Sequence, residues 1–144
     1  MSLIDFTIKL LGLSEAIHRW HDALAKLDSA RREDVAEYAD RIADTLGRAA
    51  VAFAALERHP AAIRPARAAV RELGRIAGYV EDIVAALEHH LDGRKLAGVK
   101  RRLERLAGTE PLLADVQGGS DTQRVERLLE AEGYFRALAD GLRT

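Results

Sequence analysis

The chain has no cysteine, a single tryptophan and only three prolines among its 144 residues. Without thiols there is no disulfide framework, no iron–sulfur ligation and no thiolate zinc, and the redox compartment stays undetermined. Aromatics make up 5% of the residues, too few to interleave with basic side chains as a single-strand nucleic-acid binder requires. Neither sign of charge dominates: 22 Lys and Arg face 23 Asp and Glu. No global field therefore draws the chain to nucleic acid or to an anionic membrane, and any such role rests on a local patch. No run approaches the roughly 18 uninterrupted apolar residues of a transmembrane span. The opening residues, Met1 to Lys9, lack a basic leader and carry Asp5 and Lys9 inside the apolar stretch, which predicts a helix of the domain rather than a signal peptide. The expected location is the cytoplasm, with recruitment to a membrane on activation.

The apolar fraction, 48% of the residues, is carried mainly by Ala and Leu, which lose little rotamer freedom in a helix, so composition alone points to an all-α chain. Abundant Ala, Arg and Gly fit a GC-rich bacterial genome. The length suits one domain with a real core.

Apolar residues recur at alternating steps of three and four. Leu3, Phe6, Leu10, Leu13, Ile17, Trp20, Leu24 and Leu27 form a first seam, and Asp28-Ser29 offers a stop and a new cap. A second seam runs through Val35, Ala39, Ile42, Leu46, Ala49, Phe53 and Leu56 and ends near Arg58-His59-Pro60. Pro65 suits a first helical turn and disfavours α geometry at Arg64, so a third helix is predicted from about residue 65. Its seam is Val70, Leu73, Ala77, Val80, Val84, Leu87 and Leu91, a length of roughly 40 Å. Asp92-Gly93 breaks it. A shorter fourth helix carries Leu96, Val99, Leu103 and Leu106 and closes at Gly108. Beyond the Gly118-Gly119 breaker, Ser120 and Gln123 form a capping box for a last helix with Val125, Leu128, Phe135, Leu138 and Leu142. The predicted fold is an up-down four-helix bundle of long antiparallel helices plus a C-terminal trailing helix. Residues 1–144 form a single helical bundle domain, with a core over 3–107 and the trailing helix, the least docked element, at about 121–142.

Catalytic and metal chemistry find little footing. Glu15 and His18 have the Glu-x-x-His spacing of di-iron bundles, but those sites need the motif twice, and neither His89 nor His90 has a carboxylate three residues earlier. Helical phase also turns Glu15 and His18 away from the first seam. The serines Ser2, Ser14, Ser29 and Ser120 fall at or near predicted helix ends, where capping accounts for most of them. Acidic groups such as Glu33-Asp34, Glu81-Asp82 and Glu88 read as solvated faces, and no glycine-rich turn links a strand to a helix. No enzyme activity, no metal and no cofactor are expected. Two basic features remain: Arg64, Arg67, Arg71 and Arg75 along the third helix, and Arg94, Lys95, Lys100, Arg101, Arg102 and Arg105 around the fourth, where Glu104 is the lone acid. Either suits phosphates, anionic lipid headgroups or acids of a neighbouring chain. Gly12, Gly47, Gly74 and Gly78 sit inside predicted helices at about 1 kcal/mol each relative to Ala, and close helix contact is the expected offset.

The opening Ile4-Asp5-Phe6-Thr7-Ile8-Lys9-Leu10-Leu11-Gly12-Leu13-Ser14-Glu15-Ala16-Ile17, with its Leu-Gly-Leu step, resembles the N-terminus of HeLo-type domains. The order of long helices one to three, a shorter basic fourth and a trailing helix is similar to those domains and to the N-terminal four-helix bundle of mixed-lineage-kinase-like proteins, over about residues 3 to 106. The resemblance implies a non-enzymatic effector or signalling domain of a defence or cell-death type protein, acting by oligomerisation and membrane perturbation. On that likeness Leu3, Ile4, Phe6, Ile8, Leu10, Leu11 and Leu13 would form the membrane-active segment. Arg94, Lys95, Lys100, Arg101, Arg102 and Arg105 would form the basic patch toward lipid or a partner. The partners implied are a second copy of the chain or another protein, and an anionic membrane; nucleic acid is not expected. The alternative is an adaptor bundle that mediates protein–protein interaction without membrane activity.

Overall fold

A computed structural model describes residues 3–87, 93–106 and 122–144. The chain is all-helical: α1 (Leu3–His18), α2 (His21–Ala25), α3 (Ser29–Arg58), α4 (Ile63–Leu73), α5 (Arg75–Leu87), α6 (Gly93–Leu106) and α7 (Thr122–Arg143), with no strand among the described residues. The Ser2 position, the Asp92 break, the expected closure at Gly108, the turn at Gly118-Gly119 and the Ser120 cap lie outside the described residues, as do His89, His90 and Glu88.

The two long helices expected first and third are each broken once. At the first break the amide of Trp20 bonds to the carbonyl of Ile17 at 3.0 Å, a tightened i to i−3 turn that separates α1 from α2. The seam survives it, since Trp20, Leu24 and Leu27 all remain buried. At the second, the amide of Gly74 bonds to the carbonyl of Arg71 at 3.2 Å, and α4 passes into α5. Glycine is where a helix resists such a turn least, because it gains least from staying helical. Other boundaries follow local chemistry. Asp28 caps α3 by accepting from the amide of Arg31 at 2.8 Å, and α3 ends at Arg58. Pro65 lies in the first turn of α4, where amides have no intrahelical acceptor, although the helix starts two residues earlier than predicted. Ser14 is not at a helix end but buried inside α1.

One core joins all these helices. Helix α3 packs on α4, α5 and α7; α1 packs on α7 and α6; α5 also meets α6. The C-terminal helix is therefore not a trailing appendage. Its Leu128, Ala131, Phe135, Leu138 and Ala139 are buried, and they meet an α3 face rich in alanine, including Ala36, Ala39, Ala43 and Ala50, which lets the two backbones approach. Polar contacts set the direction of that pairing. Arg143 reaches Glu33 at 3.0 Å, Arg136 reaches Asp44 at 2.6 Å, Glu132 lies over Gly47, and Arg124 stacks on Phe53 at 4.9 Å. As numbers fall on α7 they rise on α3, so the two run antiparallel. Arg48 with Glu72 at 3.0 Å, and Tyr38 beside Tyr79, likewise make α3 antiparallel to α4 and α5.

The glycines do not behave as the pattern suggested. A Cβ added at Gly12 or Gly78 would meet nothing within 4 Å, so neither marks close contact between helices. Gly47 does face a neighbour, but the neighbour is the movable carboxylate of Glu132.

Candidate functional site

Charge neutralisation divides the surface into two kinds. Five guanidinium groups of α3 and α7 are matched: Arg41 with Glu37 at 2.6 Å, Arg48 with Glu72 at 3.0 Å, Arg127 with Glu130 at 3.0 Å, and Arg136 and Arg143 with the acids named above. The hydrogen bond that Arg136 donates to Asp44 raises the Arg136 pKa above its ordinary value, and those that Arg143 donates to Glu33 and then Asp40 do the same for Arg143. On α6 the situation reverses. Arg94, Lys100, Arg101 and Arg102 are exposed and have no ion-pair partner among the described residues. The side chain of Arg105 lies outside the described residues.

Part of that basic set converges. Arg94, Lys95 and Arg102 of α6, with Arg19 from the end of α1, line a cavity of about 310 Å³ completed by Ala16, Trp20, Gly98 and Val99. Positions 94, 95, 98 and 102 share one face of α6 by helical repeat, and Val99, buried beside them, anchors that helix to the bundle. No carboxylate is among these lining residues. The nearest restraint on Arg19 is Glu15 at 3.9 Å, with both side chains more than half exposed. Arg94 and Lys95 also stand in the first turn of α6, which contains no acid and where the helix dipole disfavours cations. Arg94 and Arg102, with no ion-pair partner among the described residues, thus stand beside Lys95 and Arg19, and an anion seated among them would relieve the repulsion. Among the described residues that line it there is no serine, histidine or carboxylate for nucleophilic or proton-transfer work.

The patch expected from sequence is thereby split. Lys100 and Arg101 project elsewhere on α6 and do not line the cavity, whereas Arg19, remote in sequence, does. Arg19 carried no local signal except its place beside the tryptophan where the first seam turns. The other basic run, Arg64, Arg67, Arg71 and Arg75, follows α4 into α5.

The segment expected to act on membranes is largely internal. Leu3, Phe6, Leu10, Leu11 and Leu13 are buried and Ile4 is half-buried, while Ile8 is 50% exposed on the outer face with Asp5 and Lys9. No helix among the described residues is long and apolar enough to cross a membrane. Glu15 and His18 are exposed, and no group of three or more His, Asp or Glu side chains suited to a metal occurs among the described residues.

A second surface feature lies away from α6. Between α3, the start of α4 and α7 lies an open groove of about 610 Å³. Val51, 70% exposed, and Leu129, 49% exposed, form its apolar wall with Ala52, Ala55 and Pro65, and Asp44, Arg48, Glu132 and Arg136 form its rim. Val51 and Leu129 fall out of phase with their helices' seams, the one trace of this groove in the sequence.

No family model, no curated protein and no solved structure matches this chain.

Proposed function

We propose that the chain is a non-enzymatic effector or signalling bundle that engages an anionic membrane through α6 and acts as an assembly of several copies. The single observation carrying this is the contrast in charge pairing: Arg41, Arg48, Arg127, Arg136 and Arg143 on α3 and α7 are matched within the fold, while Arg94, Lys100, Arg101 and Arg102 on α6 are exposed with no ion-pair partner among the described residues. Unmatched basic residues near an acidic bilayer contribute roughly 1 kcal/mol each, a gain that salt screens. Self-association multiplies this by presenting several α6 faces at once. For the architecture we infer an up-down bundle in which α1–α2, α3, α4–α5 and α7 take the four positions and α6 lies against α1 and α5. The antiparallel pairings of α3 and the short connections at 26–28 and 59–62 support it.

Sedimentation with vesicles tests the membrane step. The expected result is binding to vesicles containing acidic lipid and not to neutral ones, reduced by salt and by the combined Lys100→Glu, Arg101→Glu, Arg102→Glu substitution. Equal binding of this variant and the wild-type chain, or no binding at low salt by an artificially clustered domain, would refute it. The second reading is an adaptor that docks a protein partner without membrane activity, and the exposed Val51 and Leu129 in the α3–α4–α7 groove favour it. Loss of partner capture on Val51→Glu with vesicle binding absent would support that reading instead.

A further inference from the structure

At the end of the bundle where α1 and α7 finish and α3 begins, a separate cavity of about 220 Å³ opens beside α2. Its walls are apolar: Leu24 from α2, and Leu138 and Leu142 from α7. Two polar groups reach it, His18 from the last turn of α1 and Arg32 from the first turns of α3. Arg32 is half-buried, and its Nε is buried with no hydrogen-bond partner among the described residues. A buried donor on a charged group is costly to leave unmatched, and native structures rarely do so without a water, an ion or a ligand to accept it. The acids nearby in sequence do not supply the acceptor: Glu33 binds Arg143, Asp28 caps α3, and Asp34 makes no ion pair with Arg32.

We propose that this cavity binds a small organic monoanion, a carboxylate on a compact apolar body, with the carboxylate on the Arg32 guanidinium and the body between Leu24, Leu138 and Leu142. Size fits this class, since an apolar cavity of about 150 Å³ already admits a benzene ring. The chemistry fits as well: guanidinium and carboxylate match in geometry, and the imidazole of His18 adds an N–H donor in either protonation state. A neutral apolar molecule would leave Arg32 unmatched, and a multiply charged phosphate would place excess charge against leucines. Gly141 is exposed at the mouth, where a Cβ would meet nothing within 4 Å, so the entrance is kept open by a missing side chain. The site is independent of the α6 face, and its failure would leave the proposed function untouched.

Titration of the whole chain with benzoate, benzyl alcohol and acetate, followed by calorimetry and ligand-observed NMR, is the test. Benzoate should bind roughly tenfold or more tighter than either control, the value of one hydrogen bond to a charged group. Arg32→Gln should remove the preference for benzoate over benzyl alcohol. Gly141→Leu should weaken both by a similar factor with an unchanged thermal melt. The proposal is overturned if benzoate and benzyl alcohol bind alike, if Arg32→Gln leaves benzoate affinity unchanged, or if none of the three binds at concentrations up to about 10 mM.

Discussion

Replacing Phe135 by alanine probes the most consequential feature of this fold, the central place of the last helix. Phe135 is fully buried in α7 against α3, in the same core as Leu128 and Leu138. Removing its ring loses the transfer energy of the buried atoms and leaves a hole that long, packed helices close only in part, for a total of about 3–5 kcal/mol. A domain of this size holds on the order of 5–15 kcal/mol, so one substitution removes about a fifth or more of the stability. Leu129 on the same helix is the internal control: it is half exposed, and its alanine variant should stay within about 0.5 kcal/mol of the parent. Urea denaturation followed by circular dichroism at 222 nm reads both. The expected result for Phe135→Ala is a lower midpoint with an unchanged slope, because the same surface is exposed on unfolding. If Phe135→Ala and Leu129→Ala melt alike, α7 is an appendage and the packing described above is wrong.

Gly78→Ala should stabilise the chain by about 0.5–1 kcal/mol, since the new methyl meets nothing and the helix gains propensity; a loss on thermal melting would place a neighbour there that the structure lacks. At Gly47 the same change should gain less, because the Glu132 carboxylate must swing aside. Arg143→Gln, which cuts the exposed links to Glu33 and Asp40, should lower the midpoint far less than Phe135→Ala, and 1 M salt should erase most of the difference. Because the Arg143 pKa is raised, that contribution is complete at every pH below arginine's ordinary value and lost only in strong alkali, so a thermal-melt series at pH 6–9 should show the same wild-type-to-variant gap throughout.

Helical class, the α3 limits and most core positions were legible because a heptad records only which face is apolar, and that is what burial follows here: Trp20, Leu73, Ile42 and Phe53 are all internal. The breaks at Trp20 and Gly74 were hidden because a single tightened turn leaves the seam in phase. The rank of α7 was misjudged for another reason. Its apolar stripe is interrupted by Ala131 and Ala139, which look weak in sequence but are what allow close approach to the alanine face of α3. The α6 cavity was half legible. Its helix announces itself by charge, whereas Arg19 joins only through tertiary contact between α1 and α6. The Arg32 cavity had no pattern at all, since it arises where three helix ends meet.

A membrane-active N-terminal segment, the expectation drawn from the resemblance of the opening sequence to HeLo-type domains, would require α1 to leave the bundle, and the packing of α1 puts a magnitude on that step. Leu3, Phe6, Leu10, Leu13 and Ile17 are fully buried. At about 1.5–3 kcal/mol each they contribute on the order of 10 kcal/mol, comparable to the whole stability of a domain. A membrane interface can return part of this by accepting the apolar face of α1, but the faces of α6 and α7 packed on it would then meet water. Binding through α6 should therefore precede release of α1 and not require it. Leu10→Glu is a poor probe, because it would destroy the core before any membrane is met. Trp20 is a better one: it is the only tryptophan, 6% exposed, at the junction of α1 and α2. On adding acidic vesicles the protein should bind with Trp20 inaccessible to quenchers carried deep on lipid chains, and Ile8→Glu, on the exposed face of α1, should bind as tightly as the parent. Trp20 emission that lipid-borne quenchers suppress, together with weakened binding of Ile8→Glu, would show α1 entering the bilayer and refute a docked N-terminal helix.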